Sequence, residues 1–254
     1  MYDNAKVNIL KNKKWYGTGL ALVVLLIAFF TAYQMDYRFK SNLTIGKQGK
    51  LSMVIPSANT NIFIDQSKKI TTTKENEEVN LSFSPTNHSV IISREGYFPW
   101  KKDFVIQSSK TLNLYPIFVS QNASGQVITK QDPEYWKIRN SIISFPLPSE
   151  ESPVFSSDKS VFVWIDDNAI MVKVGEEILN MVQPDTIIRN VAFYKDRSDV
   201  IMFSTSGSVF VIEIDKNGQQ NFMPVYSGQK PSFLKTDPNF IYVLDGEALM
   251  QVVI

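Results

Sequence analysis

His88 is the only histidine in 254 residues, and there is no cysteine. Those two facts remove most of the chemistry that side chains can carry. A multi-histidine metal centre cannot be assembled within one chain, and a Ser-His-Asp relay would have to be built on His88 itself. Thiol nucleophiles, cysteine-bound zinc, iron–sulfur clusters, haem attachment and disulfides fall away together. His88 stands at the entry to an alternating apolar run, where a turn or edge residue is the expected use. Walker-A, nucleophile-elbow and dinucleotide fingerprints are missing. Gly17-Thr-Gly19 falls at the start of an apolar segment and has no bearing on phosphates.

Oxygen chemistry remains. Carboxylates lie close together at Asp166/Asp167, Glu176/Glu177 and Asp196/Asp199. Asp215-Lys-Asn217-Gly218 is like the front half of a calcium loop, but the closing bidentate Glu is absent. Asp, Asn and Gly are also what hairpins need in order to turn, and turns are the reading adopted at all of these positions. Glycoside hydrolysis would need two carboxylates facing one cleft, and nothing selects such a pair. The sequence therefore assigns no catalytic residue, no metal ligand and no cofactor. Tyr97 and Trp100, in Tyr97-Phe-Pro-Trp100 after a Gly turn, are the rings placed to meet a sugar or peptide. Core packing is the more frequent use of such residues.

The segment that must position everything else comes first in the chain. From Trp15 to Tyr33 there is no charged residue, and Leu20–Phe30 is apolar throughout. About nineteen residues, rising about 1.5 Å each, reach roughly 28 Å and so cross a hydrocarbon core of about 30 Å. Trp15 and Tyr16 at one end, with Tyr33 and Tyr37 at the other, are the expected anchors at the membrane interface. The bulky Phe29-Phe30-Thr-Ala-Tyr33 lacks the small residues of a signal-peptide cut, so the anchor is expected to stay uncleaved. Lys11, Lys13 and Lys14 abut it more closely than Arg38, Lys40, Lys47 and Lys50 on the far side, which favours an N-terminus inside. The expectation is a single-pass protein of the cytoplasmic (inner) membrane. Residues 1–14 form a short cytoplasmic tail, 15–35 the anchor and 36–50 a polar stem, with the bulk of the chain extracytoplasmic. A net charge of +1 argues against a nucleic-acid binder, which needs a concentrated basic face.

Beyond the stem the pattern is short alternating runs bounded by Pro, Ser, Asn or Gly. The expected strands are Leu51–Ile55, Asn61–Asp65, Glu78–Phe83, His88–Ser93, Asp103–Ile106 and Thr111–Tyr115. Val90 and Ile92 alternate with Ser89 and Ser93, as in a strand with one buried face. Residues 51–119 make a small β-sandwich on this reading. They resemble a PEGA domain, chiefly through Asn87-His-Ser-Val-Ile-Ile-Ser-Arg-Glu-Gly-Tyr-Phe-Pro99 and through Pro56 before Ile62-Phe-Ile-Asp65. The family's own Pro-Glu-Gly-Ala signature is replaced here by Pro56-Ser-Ala-Asn-Thr-Asn61. The resemblance implies an exported, non-catalytic prokaryotic module and adds no active-site residue.

Residues 120–152 read as a polar connector, looped at Asn122–Gly125 and Ser144–Pro153. Its centre, around Tyr135–Ile138, is either a short helix or an edge strand. Residues 153–254 repeat weakly. Phe155, Phe193 and Phe233 recur at about 40 residues, near the length of a propeller blade, each ahead of paired strands: Val161–Ile165 with Ala169–Val174, Val200–Ser204 with Val209–Asp215, and Phe240–Leu244 with Ala248–Ile254. The rhythm resembles WD40-like or translocation-protein-B-like blades, with too few strands to close a ring. Either the connector adds strands, or the blades form an open stack, or several chains complete one ring. The overall expectation is an all-β fold with one N-terminal transmembrane helix, a PEGA-like β-sandwich and a propeller-like antiparallel β-meander. Its function is binding or scaffolding in the cell envelope, with membrane lipid and an envelope protein or glycan as partners, and with oligomerisation open. The alternative is an envelope glycan hydrolase using an unidentified carboxylate pair.

Overall fold

The computed structural model describes residues 3–35, 37–39, 45–215 and 220–254; the side chains before Thr18 and those of Arg38, Phe39, Ile45 and Lys68 lie outside the description. The fold is mostly β, built from several antiparallel sheets. The chain divides into two compact units. The first comprises Met1–Ala58, Lys74–His88 and Phe104–Tyr115, and the second Asn59–Thr73, Ser89–Asp103 and Pro116–Ile254. Residues 51–119 are thus shared between the two.

In the first unit, helix α1 runs Asp3–Gln34 and is followed by the hairpin β1 (Tyr37–Phe39) and β2 (Ile45–Lys47). Along α1, Leu20, Leu25, Leu26 and Phe30 are all more than half exposed. Among the described residues no helix is long and apolar enough to cross a membrane. Strand β3 (Gly49–Ile55) follows, and the second unit then contributes β4 (Asn61–Ile64) and β5 (Lys68–Thr71). Back in the first unit lie β6 (Glu77–Phe83) and the start of β7 (Asn87–Ser93); β8 (Trp100–Val105) ends there, and β9 (Thr111–Leu114) completes it. The first unit's sheet is ordered β6-β3-β9, with β3 antiparallel to β6 and parallel to β9. Leu51, Met53 and Ile55 are fully buried while Lys50 and Val54 face outward, the alternation a one-sided strand requires. Gly49 is needed where it stands, because a Cβ there would overlap the Gln107 carbonyl oxygen.

The second unit begins with a sheet ordered β5-β4-β7-β8 that buries Ile62, Ile64, Val90 and Ile92. Strand β10 (Ser124–Ile128) and helix α2 (Tyr135–Ile143) then precede three four-stranded sheets. The first is β11 (Val154–Phe155), β12 (Val161–Asp166), β13 (Ala169–Val174) and β14 (Glu177–Val182). The second is β15 (Asn190–Phe193), β16 (Val200–Ser204), β17 (Ser208–Glu213) and β18 (Phe222–Ser227). The third is β19 (Pro231–Lys235), β20 (Phe240–Asp245) and β21 (Ala248–Val253), with β10 paired antiparallel to the outer side of β21.

The turns follow from residue type. Asp167 and Asn168, both at positive φ, make a two-residue hairpin with Asp166 opposite Ala169; Asn and Asp tolerate that region better than other side chains. Strand β16 is buried along its whole length, which is why Val200-Ile-Met-Phe-Ser204 does not alternate. Val163, Val172, Val191, Phe193, Ile201 and Phe203 share one core across the first two sheets. The buried Asn190 carboxamide oxygen accepts from the Phe233 amide at 3.0 Å and the Ser204 hydroxyl at 3.3 Å, linking the second sheet to the third.

The two readings left open around Tyr135 resolve to a helix, because Tyr135, Ile138 and Ile142 fall on one face and pack with Leu244 and Leu249 of the third sheet. The loop expected at Asn122–Gly125 is instead partly strand. Neither face of β10 is deeply covered, so its sequence carries no apolar alternation. Backbone pairing with β21 holds it, together with a Gln126–Gln251 side-chain hydrogen bond and Ile128 packed beside the α2 core, and Gly125 lets it approach Gln251, whose carbonyl a Cβ would strike.

Candidate functional site

The second unit carries a groove of about 470 Å³ whose walls come from four separate stretches of chain. One wall is the end of α2 and the segment after it. Ile142 is buried at its floor, whereas Ile143, Phe145 and Leu147 are 59, 39 and 47% exposed. Phe145 and Leu147 each precede a proline, which holds them in extended backbone and gives the segment Phe145-Pro-Leu-Pro148 few ways to collapse. The helix is closed behind it by the Ser144 amide and hydroxyl, both donated to the Asn140 carbonyl. Ahead of it, the Ile165 amide donates to the Pro148 carbonyl at 3.0 Å.

The opposite wall is Ile187, 71% exposed, beside the buried Ile188. Asn168 staples this loop: its amide nitrogen donates to the Pro184 and Thr186 carbonyls, and its oxygen accepts from the Ile188 amide. Two cations complete the lining. Arg189 Nε donates to the Ser232 hydroxyl at 3.1 Å. The Lys230 amide is held by the Asp245 carboxylate at 2.8 Å, next to the Gln229 amide and the Tyr226 hydroxyl on the same carboxylate. Burial, with the Asp245 charge added, pushes the Tyr226 phenol up to about 12. Among the described residues lining the groove none is acidic. Chemically it is an apolar slot whose lining also includes two cationic residues and the Ser232 hydroxyl.

The residues singled out in the sequence lie elsewhere. Trp100 is 2% exposed, so its ring is not offered to a ligand. Its indole N–H donates to Glu213 Oε1 at 2.6 Å, and that buried carboxylate explains the placement. Glu213 Oε2 also accepts from Asn221 at 2.8 Å and Lys102 at 3.2 Å, and Lys102 reaches Asp215 at 2.6 Å. Burial alone lowers the Lys102 pKa, but Asp215 and Glu213 outweigh it and hold the ammonium above its ordinary value. Tyr97 is half-buried, with the Arg94 guanidinium 4.7 Å from its ring centre and Phe118 edge-on to it.

His88 contacts the Ser84 carbonyl at 2.9 Å and lies among Phe83 and Phe104, a structural setting. Of the carboxylate pairs, Asp166/Asp167 and Glu176/Glu177 sit at the hairpins around β13, while Asp196 pairs with Lys235 and Asp199 with Arg197. Asp215 is the described part of the calcium-loop-like stretch; Lys216, Asn217 and Gly218 lie outside the described residues. Among the described residues no group of three potential metal ligands comes together. Of the interface aromatics, Tyr33 is 59% exposed, Tyr37 lies under Lys47, and the side chains of Trp15 and Tyr16 lie outside the description. Sequence reasoning missed the groove because its signal, Ile143, Phe145 and Leu147 left exposed beside the sequence-distant Ile187, exists only after folding.

No family model and no curated protein matches the chain. Among solved structures, the AfRom2 CNH domain is 9% identical at a TM-score of 0.28, covering 74% of this chain and 68% of that one. A putative membrane-associated protein of unknown function from Bacteroides fragilis NCTC 9343 is 10% identical at a TM-score of 0.23, covering 81% of this chain and 94% of that one. At such scores neither likeness bears on the fold or the function of this protein.

Proposed function

We propose that this is a membrane-anchored cell-envelope protein that binds or scaffolds a partner without catalysis, using the groove of its second unit. The observation that carries the reading is the gathering of Ile143, Phe145, Leu147 and Ile187, all well exposed, around one slot with Arg189 and Lys230 at its rim. Soluble surfaces seldom leave large apolar side chains grouped in this way unless a partner covers them. The chemistry fits a peptide segment that alternates apolar side chains with carboxylates. Anchoring is supported by the uncharged run Trp15–Tyr33 and by the exposure of the apolar side chains from Leu20 to Phe30. The PEGA-like reading of residues 51–119 is supported by their short one-sided strands. A propeller-like reading of the later chain is supported by three successive four-stranded sheets, the last completed by β10.

The test is fluorescence anisotropy of the full chain in detergent with two labelled peptides. One alternates Leu and Glu; the other alternates Leu and Lys. The acidic peptide should bind and the basic one should not. The double variant Arg189→Glu/Lys230→Glu should weaken the acidic peptide by about tenfold or more, the scale of losing a charge contact at an interface. Equal affinity for both peptides, or no change in the double variant, would show that the groove is not the binding site.

A further inference from the structure

Strands β14, β18 and β10 stand at corresponding edges of the three later sheets, each paired on one side only. Two of them are blunted. The ladder of β14 steps over Met181, and that strand opens on Glu177. The ladder of β18 steps over Val225 and includes Pro224, which has no amide to offer. A bulge, a charge or a proline at an edge hinders the addition of another strand. Strand β10 has none of these: Ser124-Gly-Gln-Val-Ile128 is uncharged and keeps an unbroken register with β21 over its five residues. Among the described residues nothing hydrogen-bonds to the backbone along its other side.

The strand also fits itself. Residues that face each other across an antiparallel ladder point their backbone groups the same way, so a two-fold axis relating two copies of one strand passes through a residue. With the axis at Gln126, the whole strand pairs: Gln126 meets Gln126, Gly125 meets Val127, and Ser124 meets Ile128. Val127 is 67% exposed in the single chain, and in the pair it lies across from the residue with no side chain. The Gln126 amide nitrogen donates to the Gln251 side-chain oxygen at 2.8 Å. Across the axis that contact extends into a row of glutamines, which hydrogen-bond well from strand to strand. The first charged residue after the strand, Lys130, falls opposite Asn122, so no like charges are opposed. On the face that carries α2, a cavity of about 370 Å³ bounded by Gln126, Ile128, Asp132 and Ile138 leaves room for incoming side chains.

From these features we infer that β10 is a self-association edge: a second copy of this chain adds its own β10 antiparallel to it, joining the two third sheets into one. The edge shares no residue with the groove, so its failure leaves the groove reading untouched.

The chain has no cysteine, so single cysteines report contacts between copies directly. Facing Cα atoms in an antiparallel ladder stand about 4.5–5.5 Å apart, within the roughly 4.4–6.8 Å that a disulfide spans. Gln126→Cys in the full chain, purified in detergent and mildly oxidised, should give the disulfide-linked dimer as its main product. Ser124→Cys and Ile128→Cys should each stay monomeric alone and crosslink when mixed. Asn180→Cys, on the blunted edge β14, is the collisional control and should crosslink about tenfold less or lower still. Light scattering of the cysteine-free chain should show a dimer whose Kd rises about tenfold or more in Gln126→Lys, which sets two ammonium groups against each other at the axis. Circular dichroism checks that this variant keeps its fold; if it does not, the cysteine pairs decide alone. Equal crosslinking of Gln126→Cys and Asn180→Cys, failure of the mixed pair, or a dimer unweakened in a folded Gln126→Lys places the contact elsewhere and overturns the assignment.

Discussion

Glu213 is the residue on which local chemistry and long-range structure meet. It is 4% exposed, and its two oxygens take a tryptophan, an asparagine and a lysine, two of which stand more than a hundred positions earlier. A buried carboxylate is tolerated only when its lone pairs are filled and a cation lies near. Lys102 supplies that cation to Glu213 and Asp215 together. Changing Lys102→Met should therefore take the cation from the buried Glu213 carboxylate and cost about 3–5 kcal/mol in urea unfolding. A loss within the error of a surface substitution would mean that the ion pairs are incidental. The same contact sets a pH dependence. Because the folded-state pKa of Lys102 is raised above 10.5, its contribution is complete below that value and is lost as pH rises through the folded pKa. The wild-type protein should lose more stability across that alkaline window than Lys102→Met does.

Among the elements, β10 shows how a strand can form without a sequence signature. Its side chains are almost all exposed, so pairing with β21 rests chiefly on backbone hydrogen bonds and on the absence of a Cβ at Gly125, with Gln126–Gln251 and Ile128 adding side-chain contacts. Gly125→Val should push β10 from the edge, since the new atoms would occupy the Gln251 carbonyl. Amide hydrogen exchange across Leu249–Val253 should quicken, while Gly207→Ala, where a Cβ meets nothing within 4 Å, should leave it unchanged. Unaltered protection in Gly125→Val would show that β21 does not depend on this partner. Helix α2 is the opposite case. Its apolar face is legible at helical spacing, and the sheet beneath it decides between helix and strand.

At the scale of the whole molecule, the apolar groove that carries the proposed function belongs to the second unit, and the apolar run of α1 to the first. On the proposed reading α1 meets lipid and the groove meets a partner, with no catalytic step at either. Topology is the point at which that reading is most exposed. Protease added outside intact cells, with any outer layer permeabilised, should digest the chain beyond Ser41 while a cytoplasmic marker survives. Survival of both would invert the orientation inferred from Lys11, Lys13 and Lys14, and the envelope role would fall with it.

Strand periodicity and turn chemistry act over a few residues, and those were legible in the chain. Val90 and Ile92 are buried on one face as their alternation requires; Asp167-Asn168 and Gly246 make the hairpins their types favour. Phe155, Phe193 and Phe233, read as a spacing, each lie on an edge strand of a four-stranded sheet. Strands β5 and β14 were not legible, because short or exposed strands carry little apolar pattern. Nor was the fate of Trp100, whose ring is drawn inward by a carboxylate 113 residues away. The groove belongs to the same class. Ile143, Phe145, Leu147 and Ile187 are ordinary apolar residues one by one, each free to be core. Only tertiary packing, by filling the sheets with other side chains first, leaves these four on the surface together.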